Sequence, residues 1–84
     1  MTKTELVEEL ARDMDISSRT ASKCVSFIFE VITEELSKGG DVTIPGFGKF
    51  YATEVGERQV FGHTTPAHMA PKFKAGKALK DALT

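Results

Sequence analysis

Apolar residues recur along this chain at two different periods, and the change of period divides it. Thr2-Lys3-Thr4-Glu5 has the Thr-x-x-Glu form of a capping box, and Val7, Leu10, Ala11 and Met14 follow at helical spacing, with Leu6 widening the stripe. Glu5, Glu8 and Glu9 occupy the first two turns, where the helix dipole favours negative charge. The pattern predicts a helix from about Lys3 to Asp13. Asp15-Ile16-Ser17-Ser18 reads as a turn, with Ser17 capping a second helix that runs to about Lys38. Ala21, Cys24, Val25, Ile28, Ile32 and Leu36 form the stripe of that helix, and Phe27, Phe29 and Val31 broaden it past the usual arc. A helix apolar on more than one side must be covered on more than one side. One short partner helix cannot do this, so a second subunit is implied. Gly39-Gly40 supplies the left-handed conformation that ends helices.

From Asp41 the period drops to two. Asp41-Val42-Thr43-Ile44 alternates as a short strand, and Pro45-Gly46 turns the chain. Phe47 to about Phe61 reads as one long strand, with Phe47, Phe50 and Val60 among its apolar members. Gly62-His63 suits a two-residue hairpin turn with glycine first. Thr64 to Lys72 then returns as a third strand, which Pro66 and Pro71 confine to an edge or a projecting ribbon. Phe73 to Leu83 closes the chain as a short helix, with Ala78, Leu79 and Ala82 inward and Lys74, Lys77 and Lys80 outward. The order is ααβββα, an α+β chain without repeats, linkers or low-complexity stretches.

Eighty-four residues allow one domain. A chain this short buries only about 60% of its unfolded surface, and such chains often oligomerise when no disulfide or metal supports them. Cys24 is the single cysteine; it falls on the helix-two stripe and reads as a small core residue. With no second thiol there is no internal disulfide and no thiolate cluster, which fits a reducing cytoplasm. The apolar runs are too short to cross a membrane, and the first residues show no signal-peptide core. A cytoplasmic protein without a membrane partner is expected. No nucleophile constellation, phosphate-binding loop or carboxylate pair points to an enzyme, a cofactor or a small-molecule substrate. His63 and His68, five apart on a hairpin with no other ligands nearby, make a poor metal site.

The net charge of −1 hides an asymmetry. Residues 1–45 hold five Lys/Arg against nine Asp/Glu, whereas residues 46–84 hold six against three. Lys72, Lys74, Lys77 and Lys80 all lie in the last fourteen residues. This distribution suggests an acidic face and a basic one, or ordinary mixing of surface charge.

Val42-Thr43-Ile44-Pro45-Gly46-Phe47-Gly48-Lys49-Phe50 resembles the Gly-Phe-Gly-x-Phe element of the bacterial HU and integration host factor family of histone-like proteins. Residues 71–83, Pro71-Lys72-Phe73-Lys74-Ala75-Gly76-Lys77-Ala78-Leu79-Lys80-Asp81-Ala82-Leu83, resemble that family's closing helix almost residue for residue, and Thr4-Glu5-Leu6-Val7 and Asp15-Ile16-Ser17 match as well. The resemblance covers nearly the whole chain in order. It implies an intertwined homodimer acting in the nucleoid, with a helical base (about 1–40), a β-saddle with short arms (about 41–72) and a closing helix (about 73–84). It further implies double-stranded DNA as partner, bound through phosphates and minor-groove arms largely without sequence specificity.

The resemblance also assigns residues. Val25, Ile28, Phe29 and Ile32 would fill the dimer core from the helices, and Ile44, Phe47, Phe50, Phe73 and Leu79 from the saddle and closing helix. Gly46 and Gly48 would bring backbone amides to the DNA or simply permit the turn around Phe47, with Lys49 beside them. Lys74 and Lys77 match positions near the phosphates; Lys72, Lys80 and Lys3 are further candidates, and the alternative for each is a merely solvated side chain. Arg58, with Gln59 next to it, would enter the minor groove, or else pair with Glu54 or Glu57. His63 would touch DNA at the turn, and Pro66 would stand in for the family's arm-tip proline.

The arm departs from the family's Arg-x-Gly-x-Asn-Pro pattern. Glu57-Arg58-Gln59-Val60-Phe61-Gly62-His63-Thr64-Thr65-Pro66 keeps only Arg58, Gly62 and a displaced Pro66, and the chain contains no asparagine. The span from Phe50 to Phe73 is several residues short. Phe61 either replaces the missing wedge or packs on its own hairpin. The expectation is a weaker binder that bends DNA less than full-armed relatives. A rival reading, from the acidic first half and cropped arm, is a protein that heterodimerises with a basic relative and binds little DNA itself.

Overall fold

A computed structural model describes the backbone of residues 1–84 and every side chain except that of Val60, so the expectation for Val60 lies outside the described residues. The architecture is α+β and falls into two compact units, residues 1–31 and 32–84.

The first unit holds helix α1 (Lys3–Met14) and the start of α2 (Ser18–Ser37). Thr2 caps α1 as its sequence implies, its Oγ1 accepting from the Glu5 amide at 3.2 Å. At the other end Asp15 adopts the left-handed conformation (φ 53°), and the Ile16 amide donates back to the Ala11 carbonyl at 3.0 Å. Ile16 then folds onto the apolar cluster of Val7, Ala21 and Val25, together with Leu10 and Ala11. Ser17 Oγ accepts from the Thr20 amide at 3.1 Å and so starts α2. Val7, Ala21 and Val25 are the only buried apolar residues among those described. Cys24 is exposed rather than internal, because the covered side of α2 is the Ala21–Val25 line.

The second unit begins with the end of α2. Gly39 (φ 82°) donates to the Leu36 carbonyl and Gly40 to that of Glu35, the paired bonds of a glycine-terminated helix. Strands β1 (Val42–Ile44), β2 (Gly48–Val55) and β5 (His68–Ala75) form an antiparallel sheet in the order β1-β2-β5. Between β1 and β2, Pro45 and Gly46 (φ 80°) make a tight turn closed by the Phe47 amide on the Ile44 carbonyl. Strands β3 (Arg58–Val60) and β4 (His63–Thr65) form a separate two-stranded ribbon, and helix α3 (Lys77–Ala82) ends the chain.

Four boundaries differ from the sequence expectation. The strand expected from Phe47 to Phe61 is broken at Gly56-Glu57, and the one expected from Thr64 to Lys72 is broken at Pro66-Ala67. The breaks lie opposite each other: Val55 pairs with His68 before them and Arg58 with Thr65 after them, so the register does not shift. Pro66 has no amide to give the ladder, and glycine weakens a strand, so pairing lapses on both sides at once. The turn is Phe61-Gly62 (φ 51° and 81°), not Gly62-His63, because His63 pairs with Val60. The last helix starts at Lys77 rather than Phe73. Phe73, Lys74 and Ala75 instead continue β5 opposite Phe50, Lys49 and Gly48, a long-range pairing that overrides their helical spacing. Of the positions expected inward on that helix, only Leu79 is even half-buried, while Ala78 and Ala82 are exposed.

Gly48 is fixed by packing. A Cβ there would stand 2.5 Å from the Phe73 ring and 2.6 Å from the Lys74 carbonyl oxygen. Gly48→Ala is therefore expected to destabilise the fold by about 1–3 kcal/mol, the usual cost of overpacking, read as a lower urea midpoint with unchanged m-value.

Candidate nucleic-acid interface

The register of the sheet sorts its side chains by chemistry. Lys49 lies opposite Lys74, and Tyr51 opposite Lys72. Because alternate residues share a face, these four stand together on one side with Thr43, the partner of Lys49 on β1. The other side carries Val42, Ile44, Phe50, Ala52, Met69, Pro71 and Phe73, with Gly48 and Ala75 at one end and Glu54 at the other. On it the Phe73 ring lies 4.8 Å from that of Phe50 and 5.5 Å from that of Phe47. One surface of the sheet thus carries its lysines, and the other is largely apolar with Glu54 at one end.

Like charges directly opposite on neighbouring strands repel. Lys49 and Lys74 are such a pair, and only Lys49 has a partial answer: Asp41 Oδ2 lies 3.4 Å from its ammonium, and the centre of the Tyr51 ring is 5.8 Å away. Among the described residues, Lys72, Lys74, Lys77, Lys80 and Arg58 have no carboxylate within ion-pair distance. Arg58 therefore does not pair with Glu54 or Glu57. Lys72 and Lys74 thus stand on this face without an anionic partner among the described residues, beside Lys49 and the Tyr51 ring.

The remaining candidates are distributed as follows. Lys77 opens α3 and Lys80 sits one turn later, both exposed; Lys74 belongs to the sheet and not, as expected, to that helix. The turn containing Gly46 is tied to the end of β5 by the Gly76 amide, which donates to the Phe47 carbonyl at 2.8 Å. Gly46 is exposed, whereas Gly48 is buried beneath Phe73. Arg58, Gln59 and His63 are exposed on the ribbon, with His63 in β4 rather than in the turn. Pro66 sits in the ribbon's break, away from its tip, and its carbonyl is bonded to His68 Nδ1 at 3.0 Å. Lys3 belongs to the first unit, where its ammonium donates to Ser26 Oγ at 2.8 Å. No group of three or more metal-ligating side chains occurs among the described residues.

The residues expected in a dimer core are largely uncovered in the single chain. Ile28 is 53% exposed and Phe29 50%. Both line an apolar hollow with Leu6, Leu10 and Val25, the last already covered within its own unit. Ile44, Phe47 and Phe73 are also exposed, while Ile32, Phe50 and Leu79 are half-buried. The pairing of Lys49 with Lys74 and the place of Tyr51 beside them are absent from the sequence reading. The i, i+2 spacing of Lys72 and Lys74 and of Lys49 and Tyr51 was the available signal, once all four are strand residues.

Comparison with known proteins agrees with this fold. The family model described as bacterial DNA-binding protein matches residues 1–84. The chain is 42% identical to DNA-binding protein HU-beta 2 of Neisseria meningitidis, covering 99% of this chain and 98% of that protein. It is also 42% identical to DNA-binding protein HU of Geobacillus stearothermophilus, covering 99% of each. Among solved structures, a cocrystal of Anabaena HU with DNA matches with a TM-score of 0.87 at 30% identity over 99% of this chain and 97% of that one. HU from Thermotoga maritima matches with a TM-score of 0.75 at 34% identity over the whole of both chains. Each sequence alignment runs over 89 positions, more than the 84 residues here, so these relatives hold residues that this chain lacks. With the fold, the full-length match and the sequence identity in agreement, the chain belongs to the bacterial DNA-binding protein family of HU-type, non-enzymatic proteins.

Proposed function

We propose that two copies of this chain form a dimer that binds double-stranded DNA largely without sequence specificity and acts as an architectural protein of the nucleoid. The observation that carries the DNA reading is the Lys49–Lys74 pair with Lys72 on the same strand face. A polyanion relieves that repulsion where Asp41 answers Lys49 alone, and phosphates do so without regard to base sequence. Lys77 and Lys80 extend the cationic surface, and Arg58, Gln59 and His63 give the ribbon donors for the minor groove.

The dimer is supported by what the single chain leaves uncovered. Ile28, Phe29, Phe47 and Phe73 stand exposed, large apolar groups that a partner would cover. In this reading residues 1–40 supply the dimer base, 41–72 the saddle and arm, and α3 closes the saddle.

A gel-shift titration of the purified protein alone, at two salt concentrations, tests the function. A shift at low salt that weakens steeply as salt rises is expected. Absence of any shift at low salt would instead favour the protein that needs a basic partner, the reading to which the acidic first half belongs. The short ribbon further predicts a smaller bend than full-armed relatives produce. A fluorescence-transfer assay on an end-labelled intact duplex measures it, and a sharp kink at low protein concentration would contradict the prediction.

A further inference from the structure

Helix α2 carries a second apolar line, apart from the residues assigned to the dimer core. Phe27 is 65% exposed and Val31 44%, and Cys24, one turn before Phe27, is exposed as well. Spacings of three and four residues put them on one face. Phe27 follows the buried Val25 by two residues, about 200° around the helix, so this face points away from the covered one. Single exposed apolar residues are ordinary, but three in a line make a surface.

The charges beside that line are badly arranged for α2 alone. Arg19 and Lys23 stand one turn apart in its first half, and Glu30 and Glu34 one turn apart in its second. Like charges at this spacing repel. Their order also opposes the helix dipole, with no acidic residue in the first turn and no basic one in the last. Lys38 answers Glu34 at 3.1 Å, whereas Arg19, Lys23 and Glu30 have no ion-pair partner among the described residues.

We propose that this face of α2 packs antiparallel on the same face of a second copy and joins two of the proposed dimers into a tetramer. The contact rests on the dimer reading and adds a second interface to it, leaving Ile28 and Phe29 to the first. Helices that pair antiparallel about a two-fold axis bring the same flank of each together. With Phe27 against its own copy, Lys23 stands level with the other copy's Val31 and so beside that copy's Glu30. The symmetry makes this contact twice. A parallel arrangement would set Lys23 near Lys23, and charge opposes it.

Sedimentation velocity without DNA tests the contact at chain concentrations from about 10 to about 500 µM, because so small an interface associates weakly. The unaltered protein is expected to pass from dimer to tetramer over this range. Phe27→Ala should remain a dimer, the dissociation constant of the tetramer rising at least about tenfold. Lys23→Glu should raise it about three- to tenfold, although Arg19 then gains an opposite charge one turn away and the helix itself is favoured. Adding Glu30→Lys to Lys23→Glu should restore most of the association, since the exchanged charges again meet as opposites. An unaltered protein that stays dimeric at every concentration would overturn the contact and leave the dimer reading standing. Tetramers that persist in Phe27→Ala would also overturn it, as would monomers or unfolding in that variant, which place Phe27 in the dimer core. Loss with Lys23→Glu and no recovery in the double variant would rule out the antiparallel pairing. A monomeric unaltered protein would overturn both readings.

Discussion

Replacing Ile28 by aspartate is expected to abolish the proposed dimer and, with it, cooperative folding. In one chain Ile28 is 53% exposed on α2 beside Leu6, Leu10, Val25 and Phe29. The buried apolar core is Val7, Ala21 and Val25, too small to offset the conformational entropy of ordering the chain. Covering the exposed half of this isoleucine contributes about 0.8–1.5 kcal/mol, and a dimer would gain it twice. An aspartate in its place loses that and adds the cost of desolvating two carboxylates. The combined penalty is at least about 4 kcal/mol per dimer, a thousandfold in dissociation constant. Against a total stability of about 5–15 kcal/mol, that suffices to unfold the protein at micromolar concentration. Sedimentation equilibrium and circular dichroism of both proteins provide the check. The unaltered protein should sediment as a dimer and melt at higher temperature as its concentration rises. A folded, monomeric Ile28→Asp variant with the parent's melting temperature would disprove the dependence of folding on a partner.

The helices were legible in the sequence because their signals are local. Thr2 and Ser17 as caps, Asp15-Ile16 as a turn and Gly39-Gly40 as a stop each act within a few residues, and each occurs where the spacing of apolar residues places it. Pro45-Gly46 is equally local. The errors fall where distant pairing decides. Residues 73–75 have the spacing of a helix, yet they lie in β5 because Phe50 and Gly48 offer Phe73 a ring contact and a cavity that a helix start does not. The turn was misplaced by one residue because Phe61 has little propensity for the conformation it adopts. The site shows the same division. The lysines themselves, and the shortness of the arm, could be read directly. That Lys49 and Lys74 face each other depends on the β2–β5 register, which no single segment encodes.

Lys74→Ala is expected to weaken DNA binding strongly without weakening the fold, and the combination is what makes it diagnostic. Lys74 is exposed, has no anionic partner among the described residues, and stands opposite Lys49. Removing it relieves a cross-strand repulsion, so thermal stability should hold or rise by a few tenths of a kcal/mol. A dimer carries the residue twice. If each copy neutralises one phosphate, the slope of log K against log salt should flatten by about 1.8, and affinity at 0.1 M salt should fall roughly 60-fold, with less loss as salt increases. Lys49→Ala is less clean, because it also frees Asp41 at the edge of the sheet. Lys80→Ala serves as the control on α3, with a smaller change in both slope and affinity expected. Fluorescence anisotropy across a salt series, beside thermal melts of the free proteins, measures both quantities. A solvated lysine with no role in binding would leave slope and affinity where they were. A lysine needed for the fold would lower the melting temperature along with the affinity. Only a cation held near its like, awaiting phosphate, moves affinity and slope while leaving the melt unharmed.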